Sequence, residues 1–483
     1  MGKFKNVIGK AFGFKPDTSI KTEIIAGITT FFAMCYIIIV NPNQITGATD
    51  GRFYNAVYIG TIIAAVVGTL LYAFLAKKPF AQASGMGLNA FFFSSFVLPS
   101  IMNGGLAEAN YGAGLVIILI SGLVFLLLSI TGLRSYIAKS LPDCLKKAIP
   151  AGIGLFIALI GFKGAGLVVQ NEYIGWGLPN FVEGGWTNCA APVVAAILGL
   201  ISIVIFNKVG FGWMKKGSII LGILVSTVLY YLFTWKLPVF QFSAIGQSFI
   251  DFGDLGFSVF NGSSWTIAFD GIALGGIFNV IMLIVTFCLV DMFDTIGTLY
   301  GTCAQANMLD ENGDPEEIEK CMLCDSIATC AGSLVGTSTV TTFVESSAGV
   351  AEGGRTGLTA FVVAILFAAC LVLSPLASII PGAATAPALI YVGVLMLKNI
   401  KGVDMDDLSS ALPAFLTLAL MPLTYSISNG IAAGAISYVL IKLFTGKYSK
   451  KDIVVTVIAV LFLLRFIFVY MYAIFCLATE EFL

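Results

Sequence analysis

Apolar runs of about 20 residues follow one another along nearly the whole chain, and they restrict its fold more than any other feature. Of 483 residues, 58% are apolar and only 11% are charged, whereas a soluble domain carries about 25% charged residues. A helix of about 20 apolar residues is long enough to cross a bilayer. The sequence therefore predicts an all-α polytopic membrane protein and excludes a soluble globule.

Fourteen apolar segments fit such spans, seven on each side of a more polar stretch. We expect a tail at 1–20, a first seven-span repeat at 21–237, an outer loop at 238–270, a second repeat at 271–446 and an extension at 447–483. The extension contains an extra apolar helix near 453–475, which either crosses the membrane or lies along its surface. The spans are expected near 24–40, 56–75, 91–98, 115–132, 148–169, 189–206 and 218–235, and near 277–304, 321–336, 340–353, 358–380, 386–397, 412–425 and 427–444.

The positive charges predict the orientation of the chain. Threading the spans alternately from a cytosolic N-terminus leaves only four of the 26 Lys and Arg residues off the inner side, namely Arg52, Lys163 and Lys236 outside and Arg465 within the extra helix. Inner loops of membrane proteins carry an excess of Lys and Arg. We therefore expect a multi-pass protein of the plasma membrane (cell inner membrane), with its N-terminus in the cytosol.

The third span of each half is interrupted in the same way. Residues 79–92 (PFAQASGMGLNAFF) and 337–355 (TSTVTTFVESSAGVAEGGR) each begin with a short extended piece and continue as a Gly-rich half-helix. Because seven is odd, the two halves enter the membrane from opposite sides, and these segments approach each other head-on. Paired breaks in an inverted repeat are the best sequence indication of a transporter's binding site.

Acidic and polar residues occur at the same places. Asp291 and Asp294 lie three apart on one face of the eighth span, together with Thr295 and Thr298. In the tenth span, Glu345 follows the extended piece. A charge at the bilayer centre costs about 2.5–3.5 kcal/mol, so Asp294 and Glu345 are expected either to be functional or to have a very good pairing.

Less specific interpretations compete at the neighbouring positions. Asp291 either supports a neighbouring helix or belongs to the site, and Asn89 in the third span either binds substrate or caps its half-helix. We interpret Asp325 as structural, and we expect Glu352 and Arg355 to form an ion pair. Phe91, Phe92 and Phe343 either serve plain packing or, because they flank the polar cluster, offer stacking faces to a flat aromatic ligand.

Several function classes are disfavoured by what the sequence lacks. The chain has no histidine and a net charge of −1, which removes the commonest metal ligand and gives no basic face for nucleic acid. It contains no ATP-binding Gly-rich motif of the pump type. We expect no catalytic residues, no metal and no cofactor.

Three long motifs resemble the AzgA-like purine permeases, a branch of the nucleobase–cation symporter-2 family. They are GMGLNAFF at 85–92, VDMFDTIGTL at 290–299 and TTFVESSAGVAEGGRTG at 341–357. The resemblance runs from about residue 20 to 468. It implies a UraA-like fold of two inverted seven-helix repeats, with a core domain from spans 1–4 and 8–11 and a gate domain from spans 5–7 and 12–14. It also implies a homodimer and an elevator-like motion.

The resemblance also assigns site residues by position. It places the family's substrate carboxylates on Asp294 and Glu345, its third-span asparagine on Asn89 and an aromatic on Phe343; Asp291 matches a further acidic position. Two departures stand out, because Ser84 replaces a frequent proline and Phe343 replaces a frequent tyrosine.

From these residues we expect an importer of purine nucleobases of the hypoxanthine, guanine and adenine class, coupled to protons. Phe91 is added to the expected substrate-binding residues. Asp291, Thr295 and Thr298 are expected to support the site or to take part in ion coupling. The expected partners are a purine, a proton and membrane lipid. Three alternatives remain open: sodium coupling, a carrier of another small substrate with the same fold, and an intramembrane enzyme of the aspartyl type.

Overall fold

The computed structural model describes residues 9–480 except 15, 17, 48–50, 103, 132–140, 172–174, 237–243, 270–276, 307, 310–314 and 374–378. In this part of the chain, eight helices are long and apolar enough to cross a membrane, and five shorter apolar helices accompany them. The chain is therefore a helical integral membrane protein. The count of fourteen crossings and the inversion between the halves stay predictions.

The long helices of the first half overlap the predicted spans, and two short helices, at Phe181–Gly185 and Trp213–Lys216, lie between these spans. They are α1 (Ile20–Met34), α2 (Ile37–Thr46), α3 (Gly51–Leu71), α4 (Met86–Phe92), α5 (Leu98–Met102), α6 (Tyr111–Ile130), α7 (Asp143–Gly164), α8 (Phe181–Gly185), α9 (Ala191–Val209), α10 (Trp213–Lys216) and α11 (Ser218–Thr234). Three π-helical segments extend or join these helices, at Tyr72–Ala76, Phe93–Val97 and Trp186–Ala190.

The remaining helices begin in the predicted outer loop, which is itself largely helical. They are α12 (Ala244–Leu255), α13 (Gly262–Phe269), α14 (Ile277–Ala306), α15 (Ile318–Leu334), α16 (Ser346–Ala351), α17 (Gly357–Ala369), α18 (Gly382–Leu397), α19 (Leu408–Leu423), α20 (Ile427–Phe444) and α21 (Ile453–Glu480). Short 3-10 turns lie at Ser258–Phe260, Cys370–Leu373, Lys398–Gly402 and Lys450–Asp452.

Four strands of three residues each form two small antiparallel sheets. Gln82–Ser84 (β1) pairs with Val340–Thr342 (β4), and Val169–Asn171 (β2) pairs with Gly175–Gly177 (β3). The short extended pieces predicted in spans 3 and 10 are thus confirmed by β1 and β4. Each of these two strands is followed by a half-helix, α4 after β1 and α16 after β4.

The helices pack mainly within two groups. The core group consists of α1–α4, α6 and α14–α17, and the gate group consists of α7, α9–α11 and α18–α20. Contacts between the groups are few by comparison, and the β1–β4 pair lies within the core group. The predicted extra apolar helix exists as α21, which packs on α20 of the gate group and on α14 of the core group.

Candidate functional site

The site is built where the two interrupted spans cross. In the β1–β4 pair, Gln82 lies opposite Thr342, Ala83 opposite Thr341 and Ser84 opposite Val340. All six residues are buried. The strands pair with each other, and the hydroxyls of Thr69 and Thr329 bond the outward-facing backbone N–H and C=O groups of Gln82 and Val340. Backbone groups of a non-helical segment within a membrane need such partners. The crossing therefore allows both half-helices to begin deep inside the protein.

Glycine is required where the first strand turns into its half-helix. A β-carbon placed on Gly85 would lie 2.8 Å from Cγ2 of Thr341, closer than such atoms approach in proteins. The same β-carbon would lie 3.7 Å from Oδ2 of Asp294. Gly85 therefore lets the first strand, the second strand and the Asp294 carboxylate approach one another.

Asp325 holds the crossing together. It lies in α15, is fully buried, and accepts hydrogen bonds from the side chains of Gln82 and Thr295. Thr342 Oγ1 donates a further bond of 3.2 Å to the same carboxylate. Asp325 thus joins β1, β4 and α14, which agrees with its interpretation as a structural residue. A buried charge is retained when several hydrogen bonds satisfy it.

The Asp294 carboxylate lies beside Gly85 and within electrostatic range of two other acids. Its side chain is partly exposed, unlike that of Asp325. It experiences electrostatic repulsion from both Asp325 and Glu345. In the described part of the chain, no hydrogen bond holds this carboxylate. Asp294 is therefore available to accept a bond from a ligand.

Glu345 is the residue immediately before the α16 half-helix, in the N-cap position, but its side chain does not cap that helix. Instead, the Tyr36 hydroxyl donates a hydrogen bond of 2.6 Å to Glu345 Oε1. Tyr36 is fully buried in the short break between α1 and α2. The sequence analysis missed Tyr36, because its partner is 309 residues away and no local pattern connects them.

Asn89 lies inside the α4 half-helix and is fully buried. Its Oδ1 accepts a hydrogen bond from the Ser338 hydroxyl. Its Nδ2 atom is buried and has no hydrogen-bond partner among the described residues. A buried unpaired amide N–H group is costly, so this donor is ready for a ligand or a water molecule. Ser338 was not identified from the sequence.

The expected coupling residues are held mainly by protein contacts. Asp291 Oδ2 accepts a bond of 2.8 Å from Thr329, whose hydroxyl also contacts the backbone of Val340 in β4. Thr295 bonds to Asp325 and lies 2.9 Å from Thr341 Oγ1. These contacts favour the supporting alternative for both residues.

Thr298, the third expected coupling residue, lies one turn beyond Thr295 on α14. Its side chain is nearly buried, and its carbonyl accepts a bond of 2.7 Å from the Thr302 hydroxyl. The departure at Ser84 has a local explanation, since its hydroxyl lies 2.6 Å from Thr337 Oγ1 and so adds a bond between the two interrupted segments.

The two aromatic residues of the expected substrate set lie in different places: Phe343 lies at the β1–β4 crossing, and Phe91 lies at the boundary between the core and gate groups. Phe343 follows β4, is buried, and donates its backbone N–H to Ala81. Phe91 packs against Phe287 with ring centroids 4.7 Å apart. Phe91 also lines a cavity of about 330 Å³ between the core and gate groups. The structure thus places Phe91 beside an opening.

The prediction of an ion pair between Glu352 and Arg355 was wrong. Glu352 Oε1 lies 2.5 Å from Lys216 Nζ of α10. Arg355 Nη1 instead donates to the carbonyls of Val350 and Gly354, at 2.7 Å each. The guanidinium satisfies backbone groups left open at the end of α16, and Glu352 is left for a partner in the gate group.

Comparison with known proteins identifies the family. The profile described as "Permease family" (Xan_ur_permease) matches residues 21–433, most of the chain. The chain belongs to this permease family, the nucleobase–cation symporter-2 family. The predicted resemblance is thereby confirmed, and the intramembrane enzyme is removed as an alternative, because the family and its members are permeases.

Relatives of similar length accompany this match. The guanine/hypoxanthine permease PbuO of Bacillus subtilis is 40% identical, with 93% of this chain and 98% of PbuO covered. The adenine permease AdeP of Escherichia coli is 37% identical, with 94% of each chain covered. The membrane domain of the cyanobacterial bicarbonate transporter BicA shares the fold, with a TM-score of 0.61, 15% identity and 85% and 97% coverage of the two chains.

Proposed function

We propose that this permease imports purine nucleobases together with protons. One observation carries the proposal: the β1–β4 crossing brings two acids, Asp294 and Glu345, within electrostatic range of each other. Family membership and the guanine/hypoxanthine and adenine permeases among the relatives support the purine class. The acids bind the substrate and perform no covalent chemistry.

The arrangement matches the edges of a purine. Purines carry both N–H donors and ring-nitrogen or carbonyl acceptors. Asp294 and Glu345 can accept from the donors through charge-assisted bonds, which are the stronger kind, while the unpaired Asn89 Nδ2 can donate to an acceptor. In this proposal Phe343 and Phe91 supply apolar faces for the ring.

Proton coupling follows from the repulsion between the carboxylates. A proton on Asp294 or Glu345 relieves the repulsion between them, so proton binding and substrate binding are linked through one of these two acids. The supporting Asp291 is a third candidate for the proton. One proton entering down about 100 mV contributes about 2.3 kcal/mol, and one pH unit contributes about 1.4 kcal/mol more. Together they support roughly a 500-fold accumulation of substrate.

The proposal includes the orientation and the motion. The positive charges favour a cytosolic N-terminus in the plasma membrane, and the separation into core and gate groups suits an elevator-like movement of one against the other. A homodimer formed by the gate groups is part of the same proposal, as is a fold of fourteen spans in two inverted repeats.

An anion cargo is disfavoured, although the fold is shared with anion carriers such as the bicarbonate transporter BicA. Asp294 is repelled by both Asp325 and Glu345, and the negative potential of these acids would also repel an anion. A neutral heterocycle with N–H donors has no such penalty.

The direct test is uptake of labelled hypoxanthine, guanine and adenine by cells that express the chain and have no purine importers of their own. We expect saturable accumulation that collapses with a protonophore and disappears in Asp294→Asn. Glu319→Gln, an exposed acid on α15, is the matched control and retains uptake.

Each part of the proposal has its own contrary result. Absence of uptake for all three purines would reject the substrate class. Accumulation that ignores the protonophore and requires sodium would reject proton coupling but keep the substrate. Competition by unlabelled adenine, guanine, hypoxanthine, xanthine and uracil ranks the preferred base.

A further inference from the structure

The boundary between the core and gate groups differs at its two ends. At one end lies the cavity of about 330 Å³. Its core-group lining includes Ser95 and Asn279, and its gate-group lining includes Ser426 and Asn429, at the start of α20. The groups are therefore separated there by a space large enough for a small ligand.

At the other end, a lysine of the gate group reaches into the core group. Lys216 Nζ lies 2.5 Å from Glu352 Oε1 and donates to Thr29 Oγ1 at 3.4 Å. Lys216 belongs to the short α10 helix between α9 and α11, whereas Glu352 follows α16 and Thr29 lies on α1. No other ion pair among the described residues joins the two groups.

The antiparallel crossing places these features at opposite ends. β1 and β4 run in opposite directions, and each leads into its half-helix, β1 through Gly85 and β4 through the turn at 343–345. The α4 half-helix leads toward Phe91 and the cavity, and the α16 half-helix leads the other way, toward Glu352. The crossing, with Asp294 and Glu345, lies between them.

A single short helix connects the ion pair to the proposed substrate site. Glu345 precedes and Glu352 follows the six residues of α16. This helix lies directly on α1, since a β-carbon on Gly349 would be 2.5 Å from the Ala26 carbonyl oxygen. The backbones of α16 and α1 are thus in close contact. Glu345 and Glu352 therefore move as one body with the core group.

We propose that the Lys216–Glu352 pair is a latch that closes the α16 end of the boundary while the cavity end is open. The proposal rests on the transport function above. Release of substrate on the α16 side requires the core group to move relative to α10, and this motion must separate Lys216 from Glu352. The two side chains are 27% and 35% exposed. A pair this accessible to water is weak, so it biases the equilibrium and still opens in each cycle.

The test measures accessibility rather than uptake alone. Ser95→Cys introduces a thiol at the cavity, and its rate of modification by a membrane-impermeant maleimide reports how often that end is open. We expect Lys216→Glu, which opposes two negative charges, to slow the modification at least fivefold in the absence of purine. The exchange Lys216→Glu with Glu352→Lys restores the pair and returns the rate to within twofold of the parent.

The controls separate the latch from general effects of charge and from the proposed function. Lys320 and Glu317 form an exposed pair of 3.1 Å at the start of α15, and the same exchange there leaves the rate unchanged. The chain without Ser95→Cys gives the background from native cysteines. Lys216→Gln provides a milder variant if the charge reversal fails to fold, and it slows modification to a smaller degree.

The result that overturns the latch is a modification rate that Lys216→Glu and Lys216→Gln both leave unchanged, or one that the charge exchange does not restore. Because the labelling needs no substrate, it can succeed where purine uptake fails. Failure of the wild type to transport purines therefore rejects the function alone, and unchanged labelling rejects the latch alone.

Discussion

The two interrupted spans share a plan but offer opposite chemistry. In the first, the strand β1 passes through Gly85 into a half-helix that holds an amide, Asn89, one turn inside. In the second, β4 leads to a carboxylate, Glu345, at the very start of its half-helix. Each polar group is held by a hydroxyl from elsewhere, Ser338 for Asn89 and Tyr36 for Glu345.

This difference indicates how one crossing can recognise an asymmetric ligand. Asn89 uses its oxygen for Ser338 and leaves its N–H donors to the interior, whereas Glu345 can only accept when ionised. The first span therefore offers a donor, and the second offers an acceptor next to that of Asp294. Substitutions that remove one partner at a time test this division.

The largest effect, a loss of thermal stability, is expected from Asp325→Ala. This substitution removes the carboxylate that is bonded to both interrupted spans. Gln82, Thr295 and Thr342 would each lose a buried acceptor, and breaking a buried charged network costs about 3–5 kcal/mol. We expect a strongly lowered melting temperature of the purified protein. Asp294→Asn serves as the comparison and keeps its melting temperature, because that carboxylate does not hold the crossing. Equal melting of both variants would contradict this role of Asp325.

The next effect is expected from Glu345→Gln, which keeps the shape and removes the charge. A hydrogen bond to a charged group contributes about 1.5–3 kcal/mol, so kcat/KM for purine uptake should fall about 10- to 150-fold. The melting temperature should change little, since Tyr36 can still donate to the amide oxygen. Wild-type uptake in Glu345→Gln would show that the second span does not supply the acceptor.

A smaller loss is expected from Asn89→Ala, because the bond it removes is neutral. Such bonds contribute about 0.5–1.5 kcal/mol, which corresponds to about a 2- to 12-fold fall in kcat/KM. Asn399→Ala, an exposed amide outside the crossing, is the matched control. The division into donor and acceptor spans would be contradicted if Asn89→Ala had a larger effect on uptake than Glu345→Gln.

Local patterns in the sequence predicted the elements but not their cross-links. The apolar runs and the two Gly-rich breaks are properties of neighbouring residues, so the helices and the strands β1 and β4 were predictable. A role for Asp294 next to the second interrupted span was also expected, because a charged side chain within an apolar helix is energetically costly unless it has a function or a partner. The antiparallel register of Gln82 with Thr342 depends on tertiary packing and could not be derived.

Long-range polar contacts account for what sequence reasoning missed. Glu352 and Arg355 lie three positions apart, which favoured a local pair, but the end of α16 needs the guanidinium for its own carbonyls. Lys216 then becomes the partner of Glu352 from 136 positions earlier in the chain. A contact across that separation follows from how the helix groups meet, and the composition of neither segment indicates it.

The smallest effect is expected from Tyr36→Phe, which leaves the Glu345 charge but removes the hydroxyl that orients it. Loss of this bond of 2.6 Å should raise KM for purine uptake about 2- to 5-fold, within the range of a single hydrogen bond. Tyr58→Phe removes an equally buried hydroxyl, bonded to the Cys370 carbonyl at 2.9 Å, outside the crossing. We expect Tyr58→Phe to affect thermal stability and leave KM unchanged. If both substitutions changed KM alike, Tyr36 would act through packing, and the carboxylate of the second span would need no hydroxyl to orient it.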